Sequence, residues 1–256
     1  MPVFRIDNFV DAYRLRAQSA DIHELAARPN KTALTVFVSQ QILEAIRPGP
    51  DDTLVDIGCG DATLLRMASG CTGKCIGIVG TAEEKIRLEG ATSNVSFIAS
   101  NAQNLLLESA IASKIVCNAA LFYLSTAKAV QASLREIARI ARPGATIWVG
   151  EMPVAEEGEH YRRYRGNSMA AYLWFLLRHN GIRTFLGMIR RWPKAVLGSE
   201  RIILNSAEIF YTEPEAFIPL AESCGLRLKS HFRHKDLDDG GKVIESKFRY
   251  DYVFTV

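Results

Sequence analysis

Between residues 53 and 150, short apolar runs alternate with amphipathic stretches, and that alternation leaves few architectures open. Residues 53–57, 75–79, 95–99, 115–118 and 145–150 read as strands, with helices at 62–68, 82–88 and 127–141. The strand segments are near-continuous apolar runs, the signature of a strand buried on both faces. Strands of this kind separated by helices are joined by right-handed crossovers into a mostly parallel sheet with helices on each side.

The flanks have a different character. Phe9, Tyr13, Ala17 and Ala20 recur at helical spacing, as do Leu34, Phe37, Ile42 and Ile46, so the first 47 residues read as helices that stop at Arg47-Pro-Gly-Pro50. Beyond Gly150, residues 151–202 are helical, aromatic and basic. A helix near 213–223 precedes two strands, 226–234 and 245–256, joined through Asp238-Asp-Gly-Gly241 as a hairpin that adds an antiparallel edge. Four parts follow: N-terminal helices (1–50), a ligand-binding core (51–150), a helical insertion (151–202) and a C-terminal helix with strands (203–256).

A chain of 256 residues that is 48% hydrophobic suits one domain carrying an insertion, with apolar content enough for a core. A net charge of +3 excludes a surface devoted to nucleic acid, so any basic partner site is local. The five cysteines are an odd set without metal-ligand spacing, which points to free thiols in a reducing compartment and to no metal. The N-terminal stretch lacks an apolar signal core, and the longest apolar run, residues 169–177, spans nine residues, about half of what a bilayer crossing needs. The expectation is a cytoplasmic protein.

The most informative segment is Val55-Asp-Ile-Gly-Cys-Gly-Asp-Ala62. A strand ends at Asp56, and Gly58 and Gly60 permit a tight turn whose backbone approaches a ligand closely. Nicotinamide and flavin fingerprints need a third glycine three residues after the second, where Thr63 stands, and an acid about 20 residues on, where the second strand ends in Ile78-Val-Gly-Thr81. An acid before the turn is the competing pattern.

That segment resembles motif I of the class I S-adenosylmethionine-dependent methyltransferases, and the likeness continues in register over residues 35–150. Gly77-Ile-Val-Gly-Thr-Ala-Glu-Glu84 resembles the second-strand motif, and Phe97-Ile-Ala-Ser-Asn-Ala-Gln-Asn-Leu105 the segment beside the adenine. Lys114-Ile-Val-Cys-Asn-Ala-Ala-Leu-Phe-Tyr-Leu124 resembles the fourth-strand motif, and Leu134-Arg-Glu-Ile-Ala-Arg-Ile-Ala-Arg-Pro-Gly144 the helix and turn before strand five. The resemblance implies an α/β, Rossmann-like three-layer sandwich: a seven-stranded, mostly parallel sheet with an antiparallel last strand and a helical insertion after strand five. It implies S-adenosylmethionine as cofactor, with Gly58, Cys59 and Gly60 at its methionine end, Asp56 holding that region and Asn118 nearby. Val79, Gly80 and Thr81 would border the ribose, and Asn101 and Ala102 the adenine.

The chain departs from the family pattern in three places. Ala62 replaces the third glycine, a change that a helix start tolerates. Val79 stands where the family places the acid for the ribose hydroxyls, with Thr81, Glu83 and Glu84 close enough to compensate. Asn101 replaces the acid on the adenine side. Losing a carboxylate contact weakens binding by roughly 1.5–3 kcal/mol.

No residue stands out as a catalytic base. Tyr123 after strand four, and His160 and Tyr161 beyond strand five, are the candidates, although residues in such places more often pack or lie on the surface. His231 and His234, three apart on a strand, point to opposite faces and make a poor metal pair. His23 and His179 lie in helices with no partner evident from sequence. The Asn118-Ala-Ala-Leu121 segment lacks the Asn-Pro-Pro-aromatic signature of enzymes that methylate nucleic-acid or protein amide nitrogens, which favours a small or lipid-like acceptor.

Residues 159–201 hold nine Lys/Arg and two Asp/Glu, a charge of +7, which leaves −4 for the rest of the chain, and they include seven aromatics. Ile182, Phe185, Ile189 and Trp192 share one helical face, while Arg183 and Arg190 fall on another. A solvated helical cap, a cationic lid for an anionic substrate and a membrane-interface dock through 160–201 are the competing readings; a nucleic-acid surface ranks last. The sequence therefore reads as a methyltransferase of a small acceptor, anionic or amphipathic. A degenerate binding or scaffold protein and a membrane-interface enzyme are the alternatives. Oligomeric state is left open.

Overall fold

The computed structural model describes residues 3–6, 9–19, 21–27, 32–157, 170, 173–174, 177–178, 181–197, 202–205, 209–238 and 240–256. In chain order the elements are β1 (Val3–Ile6), α1 (Phe9–Ala17), α2 (Thr32–Ile46), β2 (Thr53–Ile57), α3 (Thr63–Ala68), β3 (Lys74–Val79), α4 (Ala82–Glu89), β4 (Ser96–Ala99), β5 (Ala112–Asn118), α5 (Ala127–Ile140) and β6 (Ala141–Pro153). Then come α6 (Gly181–Val196), β7 (Ile202–Asn205), α7 (Pro214–Glu222), β8 (Arg227–Leu237) and β9 (Val243–Thr255), with short 3₁₀ turns at Ile22–Ala26 and Leu121–Leu124.

Seven strands form one sheet in the order β4-β3-β2-β5-β6-β9-β8. All neighbours from β4 to β6 are parallel, and β9 runs antiparallel to both β6 and β8. This is the expected Rossmann-like sandwich with its last strand reversed. The reversed strand sits inside the sheet, with β8 on the edge, because β9 pairs with β6 over most of its length and the hairpin folds outward.

Side chains alternate between two apolar layers, as the two-residue repeat of a strand requires. Val55, Ile57, Ile147, Val149, Tyr252 and Phe254 face the layer that α5 and α7 cover with Leu134, Ile137 and Phe217. Leu54, Val116, Trp148 and Val253 face the other, covered by Val38 and Ile42 of α2 and Leu65 of α3. Asp56 shares the pleat of Leu54, so an acid is buried on the α2/α3 side at 5% exposure.

Two features differ from the sequence reading. The break expected at Arg142-Pro-Gly144 does not separate α5 from the next strand: β6 starts at Ala141, and its register against β5 shifts between Ala112 and Lys114, so that residues 142–145 bulge out. Val3–Ile6, read as part of a helical region, pairs in parallel with Ile202–Asn205 in a separate two-stranded sheet. A partner nearly two hundred residues away provides hydrogen bonds that local periodicity cannot reveal.

Candidate active site

Where β2 ends, the chain turns sharply. The backbone N–H groups of Gly58 and Cys59 both donate to the Ile78 carbonyl, at 2.9 and 3.2 Å, drawing the turn onto the end of β3. Gly58 has φ +76°, and a Cβ there would lie 2.7 Å from the Cβ of Ala120. Gly60 has φ +55°, and a Cβ there would meet the Ala26 Cα at 3.1 Å. Both positions therefore need glycine for conformation and for space. Ala62 also lies in the left-handed region, at φ +60°, as the uncapped residue before α3. The position is thus strained for alanine, contrary to the tolerance expected of a helix start.

Asp61 anchors the far side of the turn. One carboxylate oxygen accepts the Thr63 N–H at 3.0 Å, and the other lies 2.6 Å from Nδ1 of His23. His23 thus has a partner that the sequence did not reveal. Burial, and then the neighbouring Asp61, push the Asp56 carboxyl up to about 7.

Beside the turn lies a cavity of about 320 Å³. Gly58 and Gly60 line it from the turn, Val79, Gly80 and Thr81 from the end of β3, Asn101 and Ala102 from beyond β4, and Tyr123 from the 3₁₀ turn after β5. Eight of the residues singled out from sequence therefore line one cavity. Asp56, Cys59 and Asn118 are not in that lining. Cys59 is packed into the core on the α2/α3 side, and burial pushes its thiol up. Asn118 is engaged elsewhere: its amide donates to Glu151 at 2.9 Å and its carbonyl oxygen accepts from the Trp148 indole at 3.2 Å. His160 and Tyr161 lie outside the described residues.

The sequence reading looked for a cover in the insertion at 151–202 and gave α1 no part in the site. Phe9, Val10 and Tyr13 of α1 close one side, and Phe9 and Tyr13 lie with ring centroids 4.0 and 6.1 Å from Tyr123. Burial and the adjacent Tyr123 hold the Tyr13 phenol well above its ordinary value. Glu84 of α4 also reaches the lining, although it is only 4% exposed. The four-residue spacing of Phe9 and Tyr13 marks a helix face, but nothing local says which cavity that face covers.

A second polar cluster bridges β6, β8 and β9. His234, 3% exposed, places Nδ1 2.9 Å from Asp251, whose carboxylate also accepts the Glu151 N–H at 2.8 Å. Arg249 donates to Glu151 at 2.8 Å and to Glu157 at 3.0 Å. His231, by contrast, stacks at 6.0 Å on Tyr252. Among the described residues no group of three or more His, Cys, Asp and Glu side chains is suited to a metal ion, and no helix is long and apolar enough to cross a membrane.

The cavity suits a nucleoside bearing an amino acid. Gly58 and Gly60 bring backbone to its lining, which also holds the acid Glu84, the amides of Asn101 and Gln103, and the rings of Phe9, Tyr13 and Tyr123. A family model described as a methyltransferase domain matches residues 55–149. Residues 55–149 thus carry a methyltransferase domain. Solved structures with this fold include an S-adenosylmethionine-dependent methyltransferase from Methanosarcina mazei, at 17% identity and TM-score 0.56, covering 84% of this chain and 96% of that one. The N-methyltransferase NodS from Bradyrhizobium japonicum, in complex with S-adenosylhomocysteine, matches at 12% identity and TM-score 0.59, with 97% and 98% covered. A Haloferax volcanii complex of the Trm112 methyltransferase activator with a presumed methyltransferase matches at 15% identity and TM-score 0.62, with 98% of each chain covered. No curated protein matches the chain in sequence. At these identities the structural likeness speaks for the fold, and the methyltransferase reading of residues 55–149 rests on the matched domain.

Proposed function

We propose that the chain is an S-adenosylmethionine-dependent methyltransferase that acts in the cytoplasm on a small acceptor that is anionic or amphipathic. The observation that carries the reading is α6, where exposed Ile182, Leu186 and Ile189 run beside exposed Arg183, Arg190 and Arg191. An apolar face flanked by guanidinium groups suits a molecule with a hydrocarbon body and a carboxylate or phosphate.

S-adenosylmethionine supplies a methyl group already activated on a sulfonium, so the chain's own work is positioning and the exclusion of water. Gly58 and Gly60 would let the backbone approach the amino-acid end, Asn101 and Ala102 would border the base, and Phe9, Tyr13 and Tyr123, which line the same cavity, would shield the bound cofactor from solvent. A proton-accepting side chain is required only if the acceptor nucleophile is protonated when it binds. Titration calorimetry with S-adenosylhomocysteine and a panel of fatty, aromatic and phosphorylated acceptors tests the reading. Arg190→Glu combined with Arg191→Glu should raise the KM of an anionic acceptor about tenfold while leaving cofactor affinity unchanged, since two lost charge-assisted contacts matter only to the acceptor. If neutral polar acceptors are preferred and the charge reversal has no effect, the anionic assignment is wrong.

A second reading has its own support. Trp174, Ile182 and Leu197 are 64%, 55% and 83% exposed within the basic segment, a composition suited to the headgroup region of an anionic membrane. Co-sedimentation with phosphatidylserine vesicles at low salt, lost at high salt, would favour a lipid-like acceptor. Absence of binding at low salt removes that reading.

A further inference from the structure

At the end of β3 the cavity wall is hydrocarbon: Val79 contributes methyl groups where a ribose would need a hydrogen-bond acceptor. Five residues on, Glu84 lies in the first turn of α4, yet its side chain is buried and borders the same cavity. The carboxylate turns back toward the strand end, since a Cβ built on Gly80 would lie 3.6 Å from Oε2 of Glu84. The Thr81 hydroxyl donates to that oxygen at 2.8 Å and accepts the Glu84 N–H at 3.2 Å. Among the described residues no Lys, Arg or His forms a salt bridge with Glu84, and Arg16 acts on it only through its field.

A threonine cap paired with a glutamate three residues later is a common way to begin a helix. Such a glutamate ordinarily stands in water, where the pairing carries no desolvation cost. Here the carboxylate has been taken out of water beside a cavity, and burial raises its proton affinity. An ionised carboxylate offers about four acceptor positions, and the Thr81 hydroxyl with the nearby amides of Gly80 and Thr81 does not use them all. A donor arriving in the cavity would offset the burial.

We infer that Glu84 has taken over the ribose-binding task that the strand-end position, Val79, cannot perform, accepting a ribose hydroxyl of the bound cofactor from the first turn of α4. The inference rests on the cofactor reading of this cavity and adds to it the identity of the group that selects a ribonucleoside.

The test is titration calorimetry with S-adenosylhomocysteine and its 2′-deoxy and 3′-deoxy analogues, on the wild-type protein and on Glu84→Gln. The glutamine retains an acceptor for the Thr81 hydroxyl, so the helix start is preserved. Wild type should bind S-adenosylhomocysteine about tenfold or more tightly than at least one deoxy analogue, on the scale of one charge-assisted hydrogen bond. Glu84→Gln should lose that discrimination along with a similar factor of affinity. If the variant keeps both, Glu84 is a helix cap and the inference is overturned. A second measurement does not depend on that variant folding: Val79→Asp should gain less than about threefold in affinity if Glu84 already holds the ribose, and any larger gain overturns the inference. Failure of wild type to bind S-adenosylhomocysteine at high micromolar concentration would instead defeat the cofactor reading, and this inference with it.

Discussion

Asp56 is an acid placed where its charge is costly. Its carboxyl ordinarily titrates near 3.8 and in the fold is pushed up to about 7, chiefly by burial and secondarily by Asp61. Between those values the folded state binds more protons than the unfolded chain, so stability must fall as pH rises through the window and level off above it. At about 1.4 kcal/mol per pH unit, the loss between pH 4 and pH 7 is on the order of 4 kcal/mol. Asp56→Asn, which resembles the protonated acid, should remove that component: urea unfolding at pH 5 and pH 8 should show a smaller difference for the variant than for wild type. Parallel profiles would mean that Asp56 is not the group responsible. Ala62 poses a second residue-scale question, because opposing effects meet there. Replacing it with glycine relieves a left-handed backbone worth roughly 1–2 kcal/mol, but exposes a methyl-sized gap worth about 0.8 kcal/mol and loosens the unfolded chain by about 0.4–1 kcal/mol. The two sides nearly cancel, so Ala62→Gly should fall within about 1 kcal/mol of wild type. Ala62→Val adds bulk at a fully buried site and β-branching at positive φ, and should cost at least about 2 kcal/mol. A stabilised valine variant, read from the urea midpoint, would show that the turn is not held as described.

Elements differ in how visibly sequence marks them. The core strands and the helices between them could be placed within a few residues because the buried strands are local apolar runs, as in the fully buried Thr53–Ile57, and each helix carries its own apolar spacing. The turn at Gly58 and Gly60 was visible for the same reason: its requirement for glycine is itself local. Helix α1 behaves otherwise. Its Phe9–Tyr13 spacing announces a helix, while its role as cover of the cavity depends on Tyr123, more than a hundred residues away. That role is testable. An aromatic ring that becomes buried against a bound cofactor contributes about 1.5 kcal/mol or more to its binding. Phe9→Ala with Tyr13→Ala should therefore weaken S-adenosylhomocysteine binding by roughly tenfold or more, with a smaller effect on the unfolding midpoint, since both rings are only half-buried in the free protein. Unchanged affinity in the double variant would show that α1 packs beside the cofactor without covering it.

At the scale of the whole molecule, cohesion near the reversed strand comes from a network that no stretch of sequence announces. His234 on β8, Asp251 and Arg249 on β9, and Glu151 on β6 come together only after the hairpin has folded back on the sheet. Glu151 is held at φ +58°, a strained conformation for a side chain of its size, with its N–H secured by Asp251. Sequence reading placed His234 on a strand and weighed it only as a poor metal pair with His231, because its partner is 17 positions away across a hairpin with two register shifts. Separations of 33 and 30 positions hide the task of Asn118, whose side chain links Glu151 to Trp148. A buried charge network costs desolvation to assemble, but once assembled it punishes the loss of one member severely. Asp251→Asn leaves His234 facing an amide and weakens the acceptor for Glu151, so it should destabilise the fold by about 3–5 kcal/mol. His234→Gln alone should also destabilise, and the double variant should be less damaged than the sum of the two by at least about 1 kcal/mol, because the second substitution removes the group that the first left unpaired. Urea unfolding followed by both tryptophan fluorescence and circular dichroism measures this; strictly additive losses would mean that His234 and Asp251 are neighbours without an energetic bond between β8 and β9.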